Sequence, residues 1–200
     1  MQLSDLIGGC PIITVSGSHK GVGKTALAEI LLRKLPGFSA IKITITDDIF
    51  AVTDEERDIM SPATDTWRMK QSGALKVIWV RSNEHRLPDA MRVALDKLVP
   101  CRGMLIEGNS ILRHLRPVIS FFVVRPPLAD MKPSRAHALQ MADACVINQP
   151  DRALPDRDLL QRIKKFNAGI MILSLNLLAP KTPGDTDYTR LVALLTRRLV

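Results

Sequence analysis

The stretch GSHKGVGKT, residues 17–25, decides the fold because it separates two segments with different hydrophobic patterns. The residues before it, PIITVSG (11–17), form an apolar and β-branched run that is typical of a buried strand. The residues after it, TALAEILLRKL (25–35), carry apolar side chains at helical spacing. A strand that passes through a glycine-rich turn into a helix predicts the first unit of an α/β sheet.

The turn itself nearly matches the phosphate-binding pattern G-x-x-x-x-G-K-[ST]. Counted back from Gly23, the first glycine of that pattern falls on Ser18, and Gly17 stands one residue too early. Backbone N–H groups of such a turn, together with a helix N-terminus, surround phosphate oxygens. Lys24 is then expected to reach the β- and γ-phosphates of a nucleotide, and the Thr25 hydroxyl to bind Mg²⁺. The nucleotide-binding residues predicted on this basis are Ser18, His19, Lys20, Gly21, Val22, Gly23, Lys24, Thr25 and Ala26.

Lys20 adds a second lysine to the loop. It resembles the signature lysine of the dimeric ATPases of the MinD and ArsA group, which reaches the partner's nucleotide. In that group the lysine directly follows the first position of the motif, where this chain has His19. The displacement by one residue favours the simpler alternative, a basic side chain near phosphate or solvent.

Carboxylates and amides follow three other apolar runs. Glu107 ends RGMLIEGN (102–109), where a carboxylate can hold a magnesium-bound water or orient an attacking group. Asp47 follows the second strand and is a candidate to assist Mg²⁺, although a solvated loop is an equal alternative. Asn148 and Asp151, in VINQPD, resemble the guanine-reading motif N-K-x-D with glutamine in place of lysine. A simple strand exit explains the same residues equally well.

Alternation of strands and helices predicts an α/β fold, with a mostly parallel sheet covered by helices on both faces and one domain over residues 1–200. The segment 47–63 is polar and acidic and is expected to be a long loop with room for a short helix. The predicted strands are 11–17, 38–45, 74–82, 102–109, 118–126, 143–151 and 169–176. The predicted helices are 25–35, 64–73, 87–99, 134–142, 157–166 and 187–199.

The composition narrows the class of partner. A net charge of +8 suits anionic ligands, but the basic residues are dispersed and only 4% of residues are aromatic, so nucleic acid is not the expected main partner. No apolar stretch approaches the ~20 residues of a membrane span, and the N-terminus does not resemble a signal peptide, so we expect a cytoplasmic protein. Cys10, Cys101 and Cys145 are far apart and are expected to be reduced thiols, with a metal site assembled in space as the alternative.

One further segment, ATDTWRMKQSGALKV (63–77), resembles part of the molybdopterin-guanine dinucleotide biosynthesis protein B (MobB) family. The match consists of Asp65, Thr66, Arg68, Gly73 and Ala74, in an order that also includes the phosphate-binding loop, Ile41-Lys42 and Glu107-Gly108. It covers roughly the first 110 residues. Residues 44–48, TITDD, depart from the histidine that this family carries after its Ile-Lys strand. The resemblance implies a P-loop NTPase fold, nucleotide and Mg²⁺ binding, a homodimer and work in cofactor assembly with a protein partner.

The leading hypothesis is therefore a P-loop NTPase that binds GTP or ATP with Mg²⁺ and assists metallocofactor maturation, with slow hydrolysis. Lys24 and Glu107 are the expected catalytic residues, and Thr25, Glu107 and Asp47 the expected metal ligands. Asp65 and Arg68 are expected to line the same edge of the sheet. One alternative is a small-molecule kinase or ATP-dependent ligase that binds an anionic acceptor through Arg113 and Arg116 of segment 109–117. The other is a nucleotide-dependent switch that binds partners without turnover.

Overall fold

The computed structural model describes residues 3, 9–98, 102–128, 131–149, 155–179 and 185–199. These ranges contain eight strands and seven helices. The strands are β1 (Ile12–Gly17), β2 (Ser39–Ile45), β3 (Ala51–Thr53), β4 (Val77–Ser82), β5 (Met104–Glu107), β6 (Ile119–Val124), β7 (Ala144–Asn148) and β8 (Met171–Leu175). The helices are α1 (Lys24–Leu32), α2 (Glu56–Ile59), α3 (Asp65–Gln71), α4 (Leu87–Asp96), α5 (Pro133–Gln140), α6 (Arg157–Phe166) and α7 (Thr186–Leu199). A 3-10 turn spans Ser110–Arg113.

All strands belong to one sheet with the order β3-β4-β2-β5-β1-β6-β7-β8. Every neighbouring pair is parallel except β3 with β4, so the predicted, mostly parallel sheet is confirmed. The chain enters the sheet at β1, near its centre, and β5 and β6 lie on either side of that strand. The carboxyl ends of β2, β5, β1, β6 and β7 therefore meet along one edge, where ligands of open parallel sheets bind.

The helices form a layer on each face, as predicted. One hydrophobic cluster packs α1, α3 and α7 against alternate residues of the strands, such as Ile13 and Val15 of β1. The other cluster packs α4, α5 and α6 against the opposite face, which includes Ile12 of β1. Because consecutive strand residues point to opposite faces, strands that are buried on both sides read as continuous apolar runs. Among the described residues, no helix is both long enough and apolar enough to span a membrane.

The segment 47–63 differs from the loop expected there. It contains the edge strand β3, which pairs antiparallel with β4, as well as the short helix α2. Asp54, just after β3, lies 2.8 Å from Lys76 Nζ and 2.7 Å from Lys97 Nζ, and these contacts attach the segment to the elements beneath it. Three residues are too few to show a hydrophobic period in the sequence, so β3 is recognised from its pairing with β4.

Candidate phosphate-binding site

The phosphate-binding loop, residues 17–25 and called the P-loop below, connects β1 directly to α1. Gly21 and Gly23 have backbone φ angles of 79° and 111°, in the left-handed region that side chains strongly disfavour. The backbone therefore curls between β1 and the first residue of α1, Lys24. This curl brings the loop amides and the positive end of α1 together, as phosphate binding requires.

Gly17 has a steric function that the motif count did not reveal. A Cβ atom at this position would lie 2.7 Å from Val22 Cγ1, 2.9 Å from Lys24 Cγ and 3.0 Å from the Val123 carbonyl oxygen. The next residue, Ser18, donates its backbone N–H to the same carbonyl over 3.0 Å. The loop thus folds back over Gly17 and leaves no room for a side chain there. Position 17 therefore requires glycine, even though it stands one position before the first glycine of the pattern.

Lys24 extends across the loop. Its Nζ donates a 3.0 Å hydrogen bond to the carbonyl oxygen of His19. Burial lowers the pKa of Lys24, and the nearby Lys42 ammonium acts in the same direction against the attraction of Glu107. A partly buried ammonium that holds only a backbone carbonyl is suited to a stronger, anionic acceptor.

Beside the loop, four side chains form a closed ring: Thr25 of α1, Lys42 of β2, Asp65 of α3 and Glu107 of β5. Lys42 Nζ donates to Glu107 Oε1 and lies 2.6 Å from Asp65 Oδ2. Thr25 Oγ1 lies 2.8 Å from Asp65 Oδ1 and 2.9 Å from Glu107 Oε2. Lys42 and Glu107 are direct neighbours in the register of β2 and β5. The structure thus brings together Thr25, Asp65 and Glu107, three of the site residues predicted from the sequence.

The ring is electrostatically coupled. The Glu107 side chain is 1% exposed and that of Lys42 is 14% exposed, so the attraction between their charges is only weakly screened. Burial acts to lower the pKa of Lys42, but Glu107 and Asp65 outweigh it and raise that pKa. Burial likewise acts to raise the pKa of Asp65, but Lys42 outweighs it and the pKa of Asp65 is lowered. Lys42 and Asp65 therefore stabilise each other in their charged forms.

The oxygen atoms of the ring, from Thr25, Asp65 and Glu107, are suitable ligands for a magnesium ion. Thr25 has one hydroxyl proton, yet its oxygen lies within hydrogen-bond distance of two carboxylates, from Asp65 and Glu107. The hydroxyl can donate to one of them at a time and keeps lone pairs for a cation. Hydroxyl and carboxylate oxygens are the hard ligands that Mg²⁺ takes, usually together with waters and substrate phosphates.

Two asparagines fix the loop from outside. Asn109 accepts a hydrogen bond from Gly17 N over 2.8 Å and donates to Gly17 O over 3.1 Å, so it holds the end of β1 on both sides. Asn148, at the end of β7, donates to the Val22 carbonyl oxygen over 3.0 Å and accepts from Leu177 N over 3.2 Å. The structure thus gives Asn148 an anchoring role, and its contact to a nucleotide base stays a prediction. Asp151, its expected companion, lies outside the described residues.

Arg68 lines the cleft above the P-loop, but its guanidinium is paired. Its Nε and a terminal nitrogen donate to the two carboxylate oxygens of Glu29 on α1, over 3.0 and 2.9 Å. This hydrogen bonding raises the pKa of Arg68. The arginine that we expected at the site therefore connects α3 to α1, a role that requires planar, two-point recognition of a carboxylate.

The cleft has a volume of about 740 Å³ and is bounded by the P-loop, the ring and the ends of β6 and β7. His19 and the exposed Lys20 lie along it, together with two arginines that the sequence had not indicated, Arg125 after β6 and Arg135 on α5. Asp47, by contrast, is exposed in the turn after β2 and does not line the cleft.

Arg113 and Arg116, the acceptor residues of the kinase alternative, line a different cavity. That cavity has a volume of about 590 Å³ and is bounded by α4, the 3-10 turn and α5. It shares none of its lining residues with the cleft above the P-loop. The structure therefore does not bring these two arginines to the phosphate-binding loop.

The structure resembles solved structures at low sequence identity. The hydrogenase maturation factor HypB from Archaeoglobus fulgidus superposes with a TM-score of 0.63 at 19% identity, covering 99% of this chain and 93% of that chain. HypB from Helicobacter pylori, in complex with nickel, gives a TM-score of 0.61 at 16% identity, covering 95% and 89%. LpxK from Aquifex aeolicus, in complex with ATP, gives 0.52 at 15% identity, covering 96% and 89%.

No protein-family model matches the sequence, and no curated protein matches it. The structural similarity extends over nearly the whole chain, although the identities show a shared fold and nothing finer. Three observations indicate the same fold: the sheet order, the strand–loop–helix unit around residues 17–25 and these superpositions. The chain has the fold of the P-loop NTPases.

Proposed function

We propose that this chain binds a nucleoside triphosphate with Mg²⁺ in the cleft and uses its hydrolysis in the maturation of a metallocofactor. The observation that carries the nucleotide part is the ring of Thr25, Lys42, Asp65 and Glu107 directly beside the P-loop. A phosphate cradle and a set of hard oxygen ligands at one edge of the sheet are the two parts that nucleotide binding with magnesium needs.

Each residue then has a defined task. The loop amides and Lys24 hold the β- and γ-phosphates, and Lys24 exchanges the His19 carbonyl for a phosphate oxygen. Thr25 supplies a hydroxyl ligand for Mg²⁺, and Glu107 holds a magnesium-bound water or orients the attacking group. Bound Mg²⁺ would neutralise charge that develops on the phosphates. Asn109 and Asn148 keep the loop in register with the sheet while the phosphates are bound.

The metallocofactor part rests on two resemblances. The segment 63–77 is similar to the MobB family, and two superposing structures are a hydrogenase maturation factor and its nickel-bound counterpart. By this analogy the chain works as a cytoplasmic homodimer with a cofactor-assembly partner, and Lys20 lies exposed on the loop where a second protomer can meet it. Light scattering with and without nucleotide tests the dimer, because a mass near twice that of one chain is expected.

Calorimetric titration tests nucleotide binding. ATP and GTP are added separately to the purified chain with Mg²⁺, which also identifies the preferred base. Lys24→Ala is expected to weaken binding at least about tenfold, because a charge-assisted contact to phosphate is lost. Lys34→Ala, an exposed lysine after α1, is the matched control and should bind like the wild type. Unchanged nucleotide binding by Lys24→Ala would contradict the proposal. Nucleotide binding without hydrolysis would favour the alternative of a nucleotide-dependent switch that binds partners without turnover.

A second candidate function has one observation in its favour. Arg125 and Arg135 reach the cleft, and neither is paired with an acidic side chain within the described ranges. Guanidinium groups that line the cleft suit an anionic acceptor, as in a small-molecule kinase or an ATP-dependent ligase. Rapid phosphoryl transfer to an added anionic metabolite, lost in the Arg125→Ala, Arg135→Ala double variant while nucleotide binding persists, would favour this candidate.

A further inference from the structure

Lys42 is the one charged residue within the strand SAIKITI (β2), whose other residues are apolar, serine or threonine. Its ammonium lies between two carboxylates that come from different elements, Glu107 of β5 and Asp65 of α3. Thr25 contacts the remaining oxygen of each carboxylate. Each of the four carboxylate oxygens therefore lies within contact distance of Lys42 or Thr25, and the single Thr25 proton serves one carboxylate at a time.

The Lys42 ammonium compensates the buried charge of Glu107. Glu107 is 1% exposed, and a carboxylate so deeply buried is very costly unless a cation or several hydrogen-bond donors accompany it. The register of β2 and β5 places Lys42 next to Glu107, so the cation is supplied by the sheet itself. Asp65, whose side chain is 42% exposed, lies at the open side of the ring, toward the cleft.

We infer that Lys42 is a built-in counter-cation that competes with Mg²⁺ for Glu107 and Asp65, so that the chain takes up Mg²⁺ together with nucleotide rather than alone. This inference deepens the proposed function and rests on it for the identity of the cleft's ligand. Two cations cannot share the same carboxylate oxygens without strong repulsion at such short distances. The phosphates of a nucleotide bound in the cleft would accept hydrogen bonds from the Lys42 ammonium instead. The two carboxylates would then be free to bind Mg²⁺.

Lys42 is on this account a positioning residue that sets when the metal site becomes available. Mg²⁺ alone should have little affinity for the wild-type chain, although hard oxygen ligands are in place. Replacing the ammonium by an uncharged side chain of similar length removes the competitor and leaves two close carboxylates without their cation. Such a pair is destabilising by itself and becomes a better site for a divalent ion.

The test compares thermal unfolding of the wild type, Lys42→Met and Lys76→Met, with and without millimolar Mg²⁺ and in the absence of nucleotide. The melting temperature of Lys42→Met should be lowered and should recover with Mg²⁺, whereas Mg²⁺ should leave the wild type unchanged. Lys76→Met is the matched control, since it removes a lysine paired with Asp54 outside the site. It should gain nothing from Mg²⁺. Calorimetry should give Lys42→Met at least about tenfold tighter Mg²⁺ binding than the wild type.

Two outcomes overturn the inference: Mg²⁺ binding to the wild type as tightly as to Lys42→Met, or a Lys42→Met variant whose stability Mg²⁺ does not change. Should Lys42→Met fail to fold, Mg²⁺ titration of the wild type still decides, because tight binding without nucleotide contradicts competition. The Lys42→Met, Glu107→Gln double variant should lose the Mg²⁺ response, since one carboxylate is gone. These titrations contain no nucleotide, so a failure of the proposed nucleotide binding is detected separately.

Discussion

The side-chain amide of Asn148 lies 3.0 Å from the carbonyl oxygen of Val22, a residue 126 positions earlier in the chain. The same amide accepts a hydrogen bond from the backbone N–H of Leu177. Asn148 is buried, and a Cβ at Gly23 would lie only 2.7 Å from its nitrogen. The P-loop is therefore in direct contact with the end of β7, two strands away from β1.

Replacing Asn148 by alanine should destabilise the fold and weaken nucleotide binding together. The substitution leaves the Val22 carbonyl and the Leu177 N–H without partners in a buried environment, at a cost of about 1–3 kcal/mol for each group. Urea unfolding gives the loss of stability, and calorimetry gives the loss of affinity. Asn148→Asp keeps the acceptor but removes the donor, so it should lose the contact to Val22 in particular.

Gln149→Ala serves as the control for Asn148→Ala. Gln149 is the next residue in the chain, and its side chain contacts Ser174 and not the P-loop. We expect that variant to bind nucleotide like the wild type. If Asn148→Ala loses stability but keeps full affinity, the loop holds its shape without this anchor.

Gly17→Ala should impair phosphate binding although it changes one hydrogen into a methyl group. The added Cβ would come within 3.0 Å of Val22, Lys24 and the Val123 carbonyl, a spacing that requires the loop to move. We expect a loss of affinity of about tenfold or more and a destabilisation of about 1–3 kcal/mol, the usual range for overpacking a tight interior. Calorimetry and urea unfolding measure the two effects.

Gly169→Ala is the matched control for Gly17→Ala. A Cβ there meets no heavy atom within 4 Å, and its φ angle is not in the left-handed region. That variant should leave affinity unchanged. Equal affinity of the Gly17 and Gly169 variants would mean that the P-loop tolerates the methyl group by a small local shift.

The parts of the site that the sequence predicted are those with local signals. The P-loop has a fixed spacing, and Glu107 ends an apolar run, so both could be located before the strand order was known. Asp65 was indicated by the resemblance of its segment to a family motif. These signals lie within a few residues of the group they identify, so no knowledge of tertiary structure was needed.

The residues that the sequence did not predict depend on strand order. Asn109 and the anchoring role of Asn148 follow from β5 and β7 ending near the loop, which single-strand patterns cannot show. Arg125 and Arg135 reach the cleft for the same reason. A weak signal existed for Lys42, since a lone charge inside an apolar strand is costly unless the fold provides a partner. The partner's identity required the register of β2 and β5.

Arg68 and Glu29 should behave as one structural unit. Their two-point contact joins α3 to α1, and their side chains are 32% and 19% exposed. We expect Arg68→Ala and Glu29→Ala each to lower the free energy of unfolding by about 1 kcal/mol, and the double variant to lose little more than either. Additive losses in this double-mutant cycle would show that the pair is not coupled. A large loss of nucleotide affinity with Arg68→Lys would instead favour a direct contact to the ligand.

Cys145 should be inert to thiol reagents in the folded protein. It is fully buried on β7, and burial raises the pKa of its thiol from a usual value of 9.0 to about 12. The reactive thiolate is therefore scarce at neutral pH, and reagents cannot reach the sulfur. Mass-spectrometric mapping after brief treatment with N-ethylmaleimide should find the Cys145 peptide unmodified under native conditions and modified in urea. Native labelling at the urea rate would contradict this burial.

The same shift gives a pH dependence with a definite sign. A folded-state pKa above the unfolded value means that folding favours the neutral thiol, so the contribution of Cys145 is complete below pH 9.0. It declines as the pH rises from 9.0 towards about 12, by up to about 1.4 kcal/mol per pH unit. Cys145→Ala lacks this ionisation, so its unfolding free energy should fall less between pH 8 and pH 10.5, about the accessible part of that window. Parallel pH profiles for the two proteins would show that the thiol ionises equally in the folded and unfolded chains.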